Sequence, residues 1–494
     1  MNPRLSRAML RTLPASVLRP LGNPDLRRTG IVHLGIGAFA RAHLASYTGP
    51  LLDADPEWGI LGVSLRNTAT RDALAAQDWL YTTIERDGAG ERISILDALT
   101  GILVLPENPA ALIKHLTNPA VRVVTMTVTE KGYCRGAGGD HLNEVDPGIC
   151  HDLANPASPR TMPGLVVAAL TARRAAGIKP FTVLSCDNLN SNGHTTAKII
   201  TQFAFLRDPD LGRYVKGEVA FPCSMVDRIV PATMAQDRSH IADVLNIDDA
   251  WPVICEPFRQ WVIEDDFPTG RPNWEKTGAT FVSDVRSYED MKLYLVNSSH
   301  SAISYLGQLA GWPNVAAAVA NHGLRAFISG LMAECASTLH MPFGVDLTGY
   351  CRSILDRFEN PALCHLTKQI AMDGSQKLPQ RLFAPALACV RMGGRVPSIA
   401  FATAAWLLFL RGKAEDGSAL VLDDPRADEL RAAALTATDA PGLRAAVFAL
   451  PGLLPPELAA SEIFAADVSA ALTCLMRDGV LSALPRWTTR MIHL

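Results

Sequence analysis

Residues 30–43, GIVHLGIGAFARAH, leave few folds open. A mostly apolar run from Ile31 to Leu34 meets Gly35-x-Gly37 and passes into an alanine-rich helical stretch. That order of strand, turn and helix opens a doubly wound parallel sheet. Gly35 permits the tight turn, Gly37 lets a pyrophosphate approach the backbone, and small Ala40 stands where a third glycine would pack helix on strand. Gly35, Gly37, Ala38 and Phe39 are therefore the candidate dinucleotide contacts. A lone GxGxxA is a weak signature, so its context has to carry it. The next strand, residues 60–65, should end where an adenosine ribose lies, and an acidic residue there would bind the 2′-hydroxyl of NAD. The chain has Arg66 instead, which suits the 2′-phosphate of NADP or is simply a solvated charge.

Further runs extend the same architecture. Residues 121–128, VRVVTMTV, are rich in β-branched residues and read as a central parallel strand, and residues 181–185 as another. Both end in polar clusters, TEKGY at 129–133 and CDNLNSNG at 186–193, and ligands bind at the carboxyl ends of such strands. Asn192-Gly193 has the pattern of a turn or helix cap, residues 136–140 of a flexible loop, and residues 255–265, CEPFRQWVIED, of a lid or a domain seam. Beyond residue 284 helical periodicity dominates residues 288–309, 316–339, 346–358, 398–411 and 426–448. The expected fold is an α/β Rossmann-type N-terminal domain, residues 1–286, followed by a mainly α-helical substrate-binding and catalytic domain, residues 287–494.

Composition excludes several classes of function. With 46 basic against 49 acidic residues there is no surplus for nucleic acid or an anionic membrane. The longest apolar run, residues 399–410, is interrupted by Thr403 and ends at Arg411, which makes it a core helix rather than a bilayer span. No secretory signal pattern opens the chain, so cytoplasm is the expected compartment. Ten scattered cysteines without a CxxC pair argue against a zinc ribbon or a disulfide framework, and no metal is expected.

Residues 291–301, MKLYLVNSSHS, place an amine, an amide and an imidazole in one short segment: Lys292, Asn297 and His300. On an α-helix, at about 100° per residue, Glu289, Lys292, Asn297 and His300 fall at roughly 60°, 0°, 140° and 80°, one arc able to line a cleft. A lysine in a closed, partly apolar cleft loses solvation of its charged form, so its pKa should fall and Lys292 becomes a candidate base. The competing reading is a solvated Lys on an amphipathic helix with a core His.

Residues 271–307, RPNWEKTGATFVSDVRSYEDMKLYLVNSSHSAISYLG, resemble the signature of the polyol-specific long-chain dehydrogenases, a family that includes mannitol 2-dehydrogenase and fructuronate reductase. Its Lys, four residues, Asn, two residues, His pattern is present here, and the similarity runs from about Gly30 to about Arg381. The resemblance implies a zinc-independent interconversion of a secondary alcohol and a ketone with Lys292 as general acid/base. It also implies a cofactor, NAD, with NADP kept open by Arg66. Asn188 matches a residue that holds substrate or the transition-state oxygen. Asp227, in FPCSMVDRIVPAT, matches a substrate-pocket acid with Arg228 as its neighbour. Glu130 and Glu289 are placed to relay protons from Lys292, against plainer roles as ion-pair partners. Relatives carry His at the position of Ala40, so any role of that His is absent.

The segment QIAMDGSQKLPQR at 369–381 bears on substrate choice. Mannitol 2-dehydrogenase-like members carry Arg where this chain has Gln369, and the wording is closer to the fructuronate reductase branch. A C1 carboxylate would welcome Lys377 or Arg381. The expected partner is therefore a small polyol or hexuronate, and the sequence leaves the oligomeric state open. Another polyol dehydrogenase, such as one for arabinitol, is the alternative. Less favoured are a short-chain-type reductase using Tyr288 with Lys292 and a non-catalytic dinucleotide sensor.

Overall fold

The computed structural model describes residues 2–136, 139, 141–362 and 365–492. Ala137, Gly138 and Asp140 of the expected loop at 136–140, and Cys364, lie outside the described residues. The chain divides into two compact units, Met1–Arg286 and Ser287–Leu494.

The first unit carries eleven described strands: β1 Thr29–Leu34, β2 Gly59–Ser64, β3 Tyr81–Asp87, β4 Gly90–Leu96, β5 Leu99–Val104, β6 Val123–Met126, β7 Thr182–Ser185, β8 Ser224–Asp227, β9 Val253–Cys255, β10 Gln260–Glu264 and β11 Thr280–Val282. Five form a wholly parallel sheet in the order β5-β2-β1-β6-β7. The order reverses between β1 and β6, which makes their carboxyl ends the switch point where ligands bind in such sheets. β1, β6 and β7 are buried almost throughout, as strands covered on both faces must be. Gly35, just past β1, has φ of +91°, and a Cβ there would lie 2.2 Å from the carbonyl oxygen of Thr127 beyond β6. Only glycine can hold that crossing.

Residues 255–265 are not a lid. Cys255 ends β9 and Gln260–Glu264 form β10, where Trp261, Val262 and Ile263 are all fully buried and the Trp261 ring packs on Tyr47 and Trp274, because both faces of the strand are covered. Asn192 does not cap its helix. Its side chain donates to the carbonyls of Asp187 and Ser224 and accepts from Ser224 N–H, lacing the end of β7 to β8, and Ser191 takes the cap position.

The second unit is helical. The buried Pro397–Phe409 helix lies at its core, and among the described residues no helix is long and apolar enough to cross a membrane. Two helices expected to be continuous are broken by caps. Asn321 accepts from Leu324 N–H and separates Val315–Val319 from His322–Ala336, and Asp439 accepts from Gly442 N–H and separates Ala427–Leu435 from Ala440–Phe448. A further departure concerns the segment expected to be one α-helix over 288–309. Arg286–Met291 and Ser298–Ala310 are α-helical, but Lys292–Asn297 between them is a π-helix. An i→i+5 turn advances by only roughly 80° per residue, so relative to Lys292 the azimuth of Asn297 moves from about 140° to about 50°, and that of His300 from about 80° to near zero. The π-turn brings the three polar heads closer to one line than an α-helix would.

Candidate active site

Lys292 opens the π-turn and is 9% exposed, Asn297 closes it half-buried, and His300, 8% exposed, lies in the first turn of the following helix. Glu289, one turn before the lysine, is buried as well. Met291, Leu295 and Val296 of the same segment sink into the core of the second unit, so apolar anchors interleave the polar heads and fix where they lie.

The His300 ring lies 4.5 Å from that of Phe358 and edge-on to His365 at 5.0 Å, between centroids. Its Nε2 has no hydrogen-bond partner among the described residues. Burial holds its pKa well below the ordinary 6.5, and His365, Arg381, Arg357 and Lys292 push it the same way. His300 is therefore a neutral imidazole at neutral pH, with one nitrogen free to donate and the other to accept.

Arg381 sits in a second π-turn, Pro379–Phe383, and its Nη1 donates to the carbonyl of Asn297 at 3.4 Å and to Ser301 Oγ at 3.2 Å. Lys377 points elsewhere. Its Nζ donates to the carbonyls of Met372 at 2.5 Å and Ile370 at 3.4 Å and lies 3.9 Å from the Asp373 carboxylate. Gln369 is exposed, and Asp373, with φ of +57°, turns the chain into the Gly374–Leu378 helix.

In the first unit the glycine turn is pinned from below by His33. Its Nδ1 is 2.8 Å from Thr125 Oγ1, and its Nε2 is 3.0 Å from Thr127 Oγ1 and 3.3 Å from the Gly35 carbonyl, while burial lowers its pKa to about 4. At Gly37, which precedes the Ala38–Ala42 helix, a Cβ would meet nothing nearer than 3.9 Å, so the missing side chain leaves open space above the backbone. That space fits an approaching pyrophosphate. Ala38 and Phe39 form the first helical turn, with the Phe39 ring stacked on His43 at 4.9 Å, and Ala40 is buried in the core. Arg66 stands exposed just beyond β2.

At the ends of β6 and β7 the organising residue is Asp187. Its carboxylate accepts from Val128 N–H and Thr129 N–H, both at 2.9 Å, and from Tyr133 O–H at 2.8 Å. Asn188, beside it, is exposed, and exposed Glu130 lies 3.6 Å from Arg135. Asp227 ends β8, buried and in register with Gln260. Arg228 turns to the Glu85 carboxylate at 2.6 Å and to the Glu256 carbonyl at 2.9 Å.

Three residues of these sites escape sequence reading. Asp187 stood inside a quoted motif, and its place directly after a parallel strand was the available signal. Arg357 falls on the apolar arc of helix Leu347–Phe358 with Ile354 and Phe358, and a charge on such an arc is an anomaly that could have been caught. His365, alone in a loop, gave no signal.

A family model described as the mannitol dehydrogenase Rossmann domain matches residues 29–276, and one described as the mannitol dehydrogenase C-terminal domain matches residues 284–475. The chain belongs to the mannitol dehydrogenase family. It is 41% identical to the D-mannonate oxidoreductase of Escherichia coli (strain K12) over 470 residues, 94% of this chain and 96% of the relative. It is 38% identical to a mannitol 2-dehydrogenase of Aspergillus oryzae over 471 residues, 93% of each chain. Among solved structures, Pseudomonas fluorescens mannitol 2-dehydrogenase, in a ternary complex with NAD and D-mannitol, superposes with a TM-score of 0.86 at 37% identity, covering 99% of this chain and 100% of that one. A D-sorbitol dehydrogenase in substrate-free form gives 0.90 at 33% identity, covering 97% and 100%. The chain is thus a mannitol dehydrogenase family oxidoreductase with a Rossmann-type first domain.

Proposed function

We propose that the protein is a fructuronate reductase, that is, a D-mannonate oxidoreductase, using NAD and Lys292 as general acid/base. The observation that carries this reading is the buried Lys292–Asn297 π-turn with neutral His300 beyond it. In the oxidative direction Lys292 takes the proton of the secondary hydroxyl, and in the reductive direction its ammonium returns it. Asn297 and His300 donate to the same oxygen and stabilise the charge that builds on it, and the family resemblance adds Asn188 to that task and Asp227 to the other hydroxyls. Glu289, buried one turn before Lys292, and exposed Glu130 are assigned to proton exchange with solvent. Gly35, Gly37, Ala38 and Phe39 cradle the dinucleotide, and Arg66 decides whether a 2′-phosphate is admitted. The bound nicotinamide supplies the hydride acceptor and donor at its C4.

The choice of a sugar acid is supported by the D-mannonate oxidoreductase relative and by the cations Arg357 and Arg381 acting on His300. The test is nicotinamide absorbance with purified protein, offering NADH and NADPH separately against fructuronate, tagaturonate and fructose. Fast turnover of fructuronate but not fructose is the expected result. Reduction of fructose instead would make it a mannitol 2-dehydrogenase, the reading that the solved relative with D-mannitol favours.

A further inference from the structure

We infer that His33 is a positioning residue for the cofactor: through one directed chain of hydrogen bonds with Thr125 and Thr127 it holds the Gly35 carbonyl inward, away from the approaching dinucleotide. The inference rests on the dinucleotide-binding part of the reading above and stands whichever sugar is reduced. His33 interrupts an apolar strand between fully buried Val32 and Leu34 and is itself fully buried. A polar ring in that place costs stability unless both of its nitrogens are satisfied. Here both have oxygen partners, and all of them belong to the glycine turn or to the strand beside it.

Toward β2 the turn is held by backbone alone: Gly35 N–H and Ile36 N–H donate to the Val63 carbonyl at 2.9 and 3.2 Å. Gly37 N–H donates back to the Gly35 carbonyl at 2.7 Å. Toward β6 that carbonyl is held by side chains. Thr127 O–H donates to it at 2.8 Å, and His33 Nε2 lies 3.3 Å from the same oxygen and 3.0 Å from Thr127 Oγ1. A glycine at φ of +91° has no Cβ to resist rotation of its peptide, so the donors aimed at the carbonyl keep it in place. Swung outward, its negative end would face the open space at Gly37 and oppose a pyrophosphate. The hydrogens of the chain follow by counting. Thr127 has one hydroxyl proton and gives it to Gly35, so its Oγ1 accepts from His33, and Nε2 is the protonated nitrogen. In a neutral imidazole Nδ1 is then an acceptor, and Thr125 O–H, 2.8 Å away, donates to it. Thr125 thereby sets the tautomer. With the other tautomer the Nε2 lone pair would oppose the Gly35 carbonyl oxygen.

The test pairs two uncharged replacements of different reach. His33→Gln can bring an amide N–H to where Nε2 stands, whereas the shorter side chain of His33→Asn reaches only to Nδ1 and leaves the Gly35 carbonyl without that donor. By fluorescence titration without sugar, His33→Asn should weaken NADH binding ~10-fold and His33→Gln by no more than about 3-fold, with kcat at saturating NADH within about 3-fold in both. Thr127→Val removes the hydroxyl from the same carbonyl at similar volume. It should weaken NADH by a comparable ~10-fold, and it keeps the test alive if His33→Asn does not fold. Because both residues act on one carbonyl, the double variant His33→Asn with Thr127→Val should bind NADH about as well as either single one. Nitrogen NMR of the wild-type imidazoles should show His33 protonated at Nε2 alone. NADH affinity equal to wild type in His33→Asn and Thr127→Val would make His33 a core histidine and overturn the inference alone. So would a loss in His33→Gln as large as that in His33→Asn. A wild type that binds neither NADH nor NADPH overturns the cofactor reading, and the inference with it.

Discussion

Replacing Asp187 by Ala tests whether the loop between β6 and the Thr129–Gly132 turn is held from β7. The carboxylate accepts three hydrogen bonds, from Val128 N–H, Thr129 N–H and Tyr133 O–H. Tyr133 keeps Ser185 Oγ at 2.6 Å, and the Thr129 N–H is exposed, so water replaces its partner. The part-buried Val128 N–H has no such substitute and costs about 1–3 kcal/mol. Thr129 is also held at φ of +62°, a left-handed conformation worth about 1–2 kcal/mol of strain for an L-residue, which relaxes once the carboxylate is gone. Burial raises the pKa of Asp187, so removing the charge returns part of the loss. The net is about 1 kcal/mol, or ~2 °C in Tm for a unit spanning Met1–Arg286. Thermal unfolding followed by circular dichroism measures it, and Asp187→Asn, which keeps one acceptor, should lose about half as much. A Tm for Asp187→Ala within about 1 °C of wild type would refute the reasoning.

Lys292→Ala should cut turnover ~10²-fold or more with NADH affinity nearly unchanged, and wild-type-like turnover would remove Lys292 from its role. Gly35→Ala forces a Cβ to 2.2 Å from Thr127 oxygen at φ of +91°, so fluorescence titration should show NADH binding at least ~10-fold weaker, and unaltered affinity would contradict the placement of the turn. Burial raises Glu334, which accepts from Ser398 and Ile399 N–H, to about 7 from 4.5. A raised folded-state pKa gives stability present below the unfolded value and lost as pH climbs through the folded one, so about 3 kcal/mol should disappear between about pH 4.5 and 8. In urea titrations Glu334→Gln should flatten that slope, and an identical pH profile would exclude the residue. Deleting Leu293 should turn the π-turn into an α-turn and leave a folded protein with turnover reduced ~10²-fold or more, and retained turnover would show that the extra residue is dispensable.

The parallel sheet was legible because its strands are short apolar runs ended by glycine or polar clusters, and the side chains of β1, β6 and β7 have nowhere to go but inward. The aromatic and charged mixture at 255–265 misled because the buried part of β10 is only three residues, Trp261, Val262 and Ile263, set between polar ends. Asn321 and Asp439 were readable as caps, since the buried positions on either side of each fall out of phase on one continuous helix, a break that helical composition alone conceals. Asn192 and Asp187 use polar side chains to tie strands far apart in sequence, a contact that no local pattern announces. Lys292, Asn297 and His300 were found from spacing and resemblance, whereas Arg357 and His365 join His300 only through the tertiary packing of the second unit.

The two π-turns give this arrangement its physical logic. A π-turn has poorer hydrogen-bond geometry than an α-turn, so packing around it must offset the local loss. Here Leu295 and Val296 from one π-turn and Leu382 and Phe383 from the other enter the same core, and Arg381 of the second donates to the Asn297 carbonyl that ends the first. The irregular backbone is thereby held at both places, and its effect is to rotate Asn297 and His300 toward the azimuth of Lys292. Burial first, and then the nearby cations that include Arg381 on this turn, hold the His300 pKa well below its ordinary value. On the proposed mechanism, a neutral donor beside a buried lysine leaves Lys292 to carry the proton, while the imidazole holds the oxygen without competing for it. On that same proposal, the positive potential of those cations would lower the cost of an anionic alcoholate.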